Sequence, residues 1–201
     1  YSGFPLSVKR LRVWREWRRG ALESVLGRCS RHLRITKQAD PRGAIRPPRP
    51  RLPAMRVVGL MSGTSADGID AALVEWPATG EARPFKLLAY QETPHSEALQ
   101  AAIHRLAAGE LPGQAVLEEQ IRLDRVLGDA FAEAVLPLVA EAGVPLDSID
   151  GVASHGQTIA HHPQRGGTLQ IGCPARIAER LERPVIADFR RRDCALDGEG
   201  E

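Results

Sequence analysis

The chain has 201 residues, 43% hydrophobic and 26% charged, which is enough apolar mass for one buried core with an appendage. No uninterrupted apolar run approaches the roughly 20 residues a membrane-spanning helix needs. Cys29, Cys173 and Cys194 lie far apart with no C-x-x-C pair, which argues against a disulfide framework or a structural zinc site and fits a reducing cytoplasm. The net charge of +2 conceals an asymmetry: fourteen Lys and Arg against three Asp and Glu precede Met55, so that stretch carries +11 and the remainder −9. Segments so different divide the chain into a leader, residues 1–54, and a body, residues 55–201.

The leader ends in Ile45-Arg46-Pro47-Pro48-Arg49-Pro50-Arg51-Leu52-Pro53-Ala54. Its prolines remove backbone donors and push each preceding residue towards extended conformations, so this Pro/Arg-rich stretch reads as an unfolded linker. Upstream, Val8, Leu11, Trp14, Trp17, Leu22, Val25 and Leu26 can form one stripe of a basic amphipathic helix. Such a stripe suits an anionic membrane surface, nucleic acid or a transit peptide. The preferred expectation is a segment foreign to the native protein, because the chain opens on Tyr1 while Met55 leads directly into a strand pattern.

In the body, Val57–Met61 and Ile69–Trp76 are apolar runs around a loop rich in Ser, Gly and Asp. They predict a β-hairpin with its turn near Asp67-Gly68. A third strand is expected over Phe85–Tyr90, then a helix over Glu97–Leu106 capped by Ser96. Gln114–Ala142 predicts a long helix whose stripe is Leu117, Ile121, Leu127, Phe131, Val135 and Leu138, with Pro137 kinking its last turns and Gly143 stopping it. A strand at Ile149–Ser154, a short helix at Ala175–Leu181 and a strand at Pro184–Ala187 complete an α/β layered domain.

Three segments carry candidate chemistry. Ser62-Gly63-Thr64-Ser65-Ala66-Asp67-Gly68 combines glycines that let backbone N–H groups approach a ligand with three hydroxyls, a composition suited to phosphate and equally to an ordinary turn. It lacks the Gly-Lys-Ser/Thr of a Walker A loop. Asp67 or Asp70 would repel phosphate, and their useful role is to hold Mg²⁺ through its water shell. Ala153-Ser154-His155-Gly156-Gln157-Thr158 leaves a predicted strand and offers donors and acceptors for sugar hydroxyls. Ser154 and His155 would face opposite ways, which rules against a nucleophilic pair, and His161-His162 has no third ligand at metal spacing. Ala187-Asp188-Phe189-Arg190-Arg191-Arg192-Asp193 presents guanidinium forks for an anion, or a self-paired solvated loop.

In order, these segments resemble one family. Gly59-Leu60-Met61-Ser62-Gly63-Thr64-Ser65-Ala66-Asp67-Gly68-Ile69-Asp70 looks like the opening signature of anhydro-N-acetylmuramic acid kinases. Ser154-His155-Gly156-Gln157-Thr158, Leu169-Gln170-Ile171-Gly172 with Pro174-Ala175, and Ala187–Asp193 follow in the family's order. The resemblance covers Met55 to the chain end, somewhat under half of a full-length member. It implies a ribonuclease H-like, actin-like ATPase lobe of the sugar kinase, Hsp70 and actin superfamily, with a mixed sheet and flanking helices, truncated at its C-terminus. It also implies a cytoplasmic, ATP- and Mg²⁺-dependent enzyme of cell-wall recycling. That enzyme opens 1,6-anhydro-N-acetylmuramic acid with water and phosphorylates O6, and its full-length form is expected to dimerise.

By position, the resemblance assigns Gly63, Thr64, Ser65, Ala66, Asp67, Gly68, Ile69 and Asp70 to the nucleotide phosphates. His155, Gln157 and Thr158 go to the sugar, and Arg192 to its lactyl carboxylate. The general-base aspartate is expected beyond Glu201, so no catalytic residue is assigned and the chain itself is expected to be inactive. The tail Asp197-Gly198-Glu199-Gly200-Glu201 stands where the family reads Gly-Gly-Gln-Gly-Ala, and Ala66 replaces a larger apolar residue. The alternatives are a non-catalytic nucleotide-binding remnant, or a leader that tethers the body to nucleic acid or membrane. Nucleic acid is not an expected partner of the body.

Overall fold

The computed structural model describes residues 53–78 and 85–199. The expectations for the amphipathic stripe and for the linker up to residue 52 lie outside these residues.

Strands β1 (Met55–Ser62) and β2 (Gly68–Trp76) form the predicted antiparallel hairpin, in register from Met55 opposite Trp76 to Met61 opposite Asp70. Strand β3 (Lys86–Pro94) pairs antiparallel with β2 and runs four residues beyond the expected end at Tyr90. Helix α1 (Glu97–Ala107) starts as predicted, with the Ser96 hydroxyl oxygen accepting the Leu99 N–H at 3.3 Å. Helix α2 (Ala115–Glu141) runs unbroken through Pro137, and Gly143 follows in the left-handed region at φ 65°. Strand β4 (Gly151–His162) then returns parallel to β1. Its other edge pairs with β5 (Gly167–Ile171), antiparallel, and with the short β6 (Val185–Ile186), parallel. Helix α3 (Pro174–Leu181) lies between β5 and β6, and α4 (Phe189–Cys194) follows. The order β3-β2-β1-β4-β5 makes a mixed sheet with flanking helices, the α/β class expected.

The alternating strand pattern gives the sheet two faces. Val58 and Leu60 of β1 and Ile69, Ala71 and Leu73 of β2 join Leu127, Phe131 and Val135 of α2 in the main core. Met61 points the other way and meets Phe189 of α4, together with Trp76 and Phe85. The inner stripe of α2 is Leu123, Leu127, Phe131, Val135 and Leu138, all fully buried, whereas the expected Leu117 and Ile121 are 60% and 72% exposed. Those two lie along the helix face that further on carries Asp124 and Gly128 against the β5–α3 turn. No described element covers the face that far up. Where it is covered, contact is close: the Asp124 carboxylate accepts the Gly172 N–H at 2.8 Å, and a Cβ on Gly128 would sit 2.9 Å from the Cys173 carbonyl oxygen.

Two further expectations are corrected. The His155–Thr158 segment does not leave a strand at Ser154. It lies inside β4, because a bulge lets the chain continue and pair with β5. The arginine-rich segment, expected as a loop, is helix α4. Strand β5, which sequence reasoning did not assign, is short and flanked by glycines, so its alternation spans too few residues to stand out.

Candidate functional site

The loop between β1 and β2 is built by its carbonyl groups. Gly63 O accepts the Ala66 N–H and the Gln157 side-chain amide, each at 3.0 Å. Ser65 O lies 3.0 Å from the Gln100 amide nitrogen and 3.0 Å from His104 Nε2, both on α1. Asp67 O accepts the His95 N–H at 2.9 Å, and Gly68 O accepts the Ser62 hydroxyl at 2.8 Å. By contrast, the N–H groups of Thr64 and Ser65, both exposed, make no hydrogen bond to any described residue. The loop therefore turns carbonyls towards the protein and leaves donors outward, the polarity of an anion cradle.

Two backbone details fix this shape. Ala66 sits fully buried at φ 49°, a left-handed conformation that costs an alanine free energy and that the surrounding bonds must hold. A Cβ on Gly68 would lie 2.5 Å from the Thr93 carbonyl oxygen, so only glycine lets β2 approach β3 there. The Ser65 hydroxyl donates to Asp67 at 2.8 Å, leaving that exposed carboxylate at the loop rim. Asp70 accepts the Tyr90 hydroxyl, which also lies 3.1 Å from Glu92. Burial and the two carboxylates raise the Tyr90 pKa. Burial lowers the pKa of His95, with Asp67 partly offsetting it.

The bulge in β4 decides which face each predicted residue reaches. Leu60 pairs with Ser154, but Ser62 pairs with Gln157, so β4 holds one residue more than β1 across that step. Gly156, at φ 75° and with no room for a Cβ against the Ile171 carbonyl oxygen 2.7 Å away, absorbs it. In a regular strand Gln157 would share a face with His155. The extra residue moves it to the Ser62 face and returns Thr158 to the His155 face. Gln157 is fully buried.

On the second face the Thr158 hydroxyl oxygen accepts Arg190 at 3.2 Å, and the Gln170 amide lies 3.4 Å from it. The His155 ring lies tilted against Phe189, their centroids 5.9 Å apart, with its Nδ1 3.0 Å from the Gly156 carbonyl oxygen. Its Nε2 is buried and without a partner. Burial, reinforced by the Arg190 charge, pushes the imidazole down to about 4, so it is neutral and its free nitrogen is an acceptor. Arg192 is exposed; two helical residues on from Arg190, it points roughly 200° around the axis of α4, away from Thr158. The structure thus brings His155, Thr158, Gln170 and Arg190 together, and sets Gln157 and Arg192 elsewhere. Neither Gln170 nor Arg190 is assigned an individual role from the sequence, although Arg190 is one of the three arginines of the candidate anion segment. Alternation from Thr158 across the β4–β5 pair is the signal that finds Gln170, once β5 is known.

Residues 55–201 match the family described as Anhydro-N-acetylmuramic acid kinase. The chain belongs to this family. Anhydro-N-acetylmuramic acid kinases from Caldanaerobacter subterraneus subsp. tengcongensis and Xanthomonas campestris pv. campestris are 45% identical over 152 residues and 46% over 145. These alignments span 72% and 71% of this chain but 38% of each relative. The kinase of that name from Salinibacter ruber is 39% identical over 152 residues, again 72% of this chain and 38% of the relative. The chain therefore spans well under half the length of the kinases it matches. Among solved structures, YeaZ from Pseudomonas aeruginosa aligns at 20% identity over 66% of this chain and 43% of that one, with a TM-score of 0.27, too low to inform the fold. Among the described residues no helix is long and apolar enough to cross a membrane, and no three His, Cys, Asp or Glu side chains converge as a metal cage.

Proposed function

We propose that residues 55–201 form the phosphate-loop portion of an ATP-dependent kinase acting on 1,6-anhydro-N-acetylmuramic acid. The loop from Gly63 to Asp70 takes the nucleotide phosphates, and the single observation that supports this most is its polarity. Its carbonyls are engaged by Gln157, Gln100, His104, His95 and Ser62, while the Thr64 and Ser65 N–H groups face solvent unused. Phosphate oxygens accept such donors with no bulky side chain intervening.

The residues also fit Mg²⁺ held indirectly. Asp67 is exposed at the rim, Asp70 is tied to Tyr90, and among the described residues no third ligand joins them, so the ion would keep water and phosphate oxygens as ligands. When bound it would neutralise phosphate charge. The sugar lies on the second face against His155, Thr158 and Arg190. His155 is neutral and its Nε2 is buried beside Phe189, so the imidazole backs this face, while the Arg190 guanidinium suits the lactyl carboxylate. In the overall reaction water adds at C1, the C1–O6 bridge opens, and O6 takes the γ-phosphoryl group as ADP leaves. The general base is expected in a segment outside residues 55–201, and on this reading these residues by themselves bind nucleotide without turnover.

The test is amide hydrogen exchange of the chain with and without Mg-ATP, beside an assay for sugar-dependent ADP release. Slowed exchange at Thr64 and Ser65, without ADP release, is the expected result. Unchanged exchange at both amides would overturn the phosphate assignment, and steady turnover would overturn the division of labour. Thr64→Pro removes one donor at a turn position that favours proline, and Mg-ATP affinity should fall about tenfold.

A further inference from the structure

We infer that Gln157 is a positioning residue for the phosphate loop and makes no contact with the sugar; this rests on the loop being the nucleotide site. Gln157 is fully buried, so no ligand reaches its amide. Its orientation is dictated by its neighbours. The amide nitrogen lies 3.0 Å from Gly63 O and 3.2 Å from Thr158 O, two acceptors that accept only a donor. The amide oxygen lies 2.6 Å from the Ser62 hydroxyl. Reversing the amide would set its oxygen against both carbonyls at once. Ser62 carries one proton, and Gly68 O at 2.8 Å competes with Gln157 for it, so the pair ties both ends of the loop to β4.

This arrangement has a consequence for the loop's donors. Gly63 O also accepts the Ala66 N–H, closing the turn that contains Thr64 and Ser65. Held from inside by Gln157, that carbonyl cannot rotate outward to meet a phosphate with its negative end. Ala66, in its unfavourable left-handed conformation, depends on the same bond. A side chain able to replace Gln157 must donate to two carbonyls and accept from a hydroxyl at the same reach, and glutamine alone among the amino acids does so at that length. The bulge at Gly156 turns it to this face, so the strand that carries Thr158 outward also carries the loop's anchor inward.

The experiment compares the wild-type chain with Gln157→Glu, Gln157→Leu and Ser62→Ala by residue-resolved amide exchange without ligand and by calorimetric titration with Mg-ATP. Gln157→Glu preserves size but removes the donor. The expected result is a rise of about tenfold in Ala66 exchange and a matching fall in Mg-ATP affinity, with amides of α2 around Phe131 unchanged. Ser62→Ala keeps the donor to Gly63 and should give the smaller effect. Should Gln157→Leu not fold, Gln157→Glu and Ser62→Ala decide the matter. Exchange raised evenly through the whole sheet would make Gln157 an ordinary core residue and overturn the inference, as would unchanged loop exchange. Failure of the wild-type chain to bind Mg-ATP, with Ala66 exchange still raised in Gln157→Glu, would overturn the nucleotide assignment and leave the anchoring role standing.

Discussion

The two faces of the sheet are put to different uses. One is roofed by α1, α2 and α3 over a continuous apolar core that buries Val58 and Leu60 of β1 and Ile69, Ala71 and Leu73 of β2. The other is roofed, among the described residues, by the six-residue α4 through Phe189, and it carries His155, Thr158, Gln170, Arg190, Asp70 and Tyr90. The thick face provides stability, and the thin face carries the polar side chains proposed to meet the sugar. The β1–β2 loop, the proposed phosphate site, joins the two at the strand ends, its anchors drawn from the thick side. The alternation of a β-strand supplies both faces from one stretch of chain.

The contrast is open to test, taking the largest effect first. Phe131→Ala, on the thick face, should cost 3–5 kcal/mol in urea unfolding, roughly the range for emptying a packed aromatic site. Phe189→Ala, in its small cluster, should cost about 2 kcal/mol. Equal losses would mean that the faces are not energetically distinct. Gly156→Ala forces a methyl onto the Ile171 carbonyl at a positive φ and should cost about 3 kcal/mol while loosening the loop. A loop left as protected as in the wild type would separate the bulge from Gln157.

The third test is pH. His155 titrates at about 4 when folded and near 6.5 unfolded, so the unfolded chain takes up the proton first. Stability is therefore full above about pH 6.5 and falls as pH drops towards 4, by up to ~3 kcal/mol. His95, also lowered by burial, acts in the same direction. Comparing urea midpoints of wild type and His155→Gln from pH 7 to 5 isolates the His155 share, since few carboxylates titrate there. Parallel curves would contradict a buried neutral imidazole. The smallest effects belong to the arginines: Arg190→Ala should cost about 1 kcal/mol and Arg192→Ala less than about 0.5, because only Arg190 reaches Thr158.

Much of the thick face was legible. The apolar runs of β1 and β2, the Ser96 cap and the period of α2 from Leu127 onward are local patterns with local causes. Leu117 and Ile121 misled because periodicity reports which residues share a helix face, and their face is covered only where the β5–α3 turn meets Gly128. The thin face was harder. Its residue types were visible, but their grouping depends on one extra residue at Gly156, and a glycine inside a strand is a weak sign until its partner strand is known. That is why Gln157 read as a companion of His155; Arg192 came from the resemblance alone, and it is Arg190 that lies beside Thr158.

The bond from Gln157 to Gly63 joins residues 94 apart, whereas the β1–β2–β3 meander is held by near neighbours. Local pairings form before distant ones, because closing a long stretch of chain costs entropy that its contacts must first recover. During synthesis, the loop therefore emerges on its hairpin long before β4 exists to anchor it, and its binding shape is acquired late. Pulse-labelled exchange during refolding should find the β1–β2 ladder protected ahead of the Ala66 amide. The proposed capacity of residues 62–70 to hold an anion would then be completed only when a strand made nearly a hundred residues later slides in alongside.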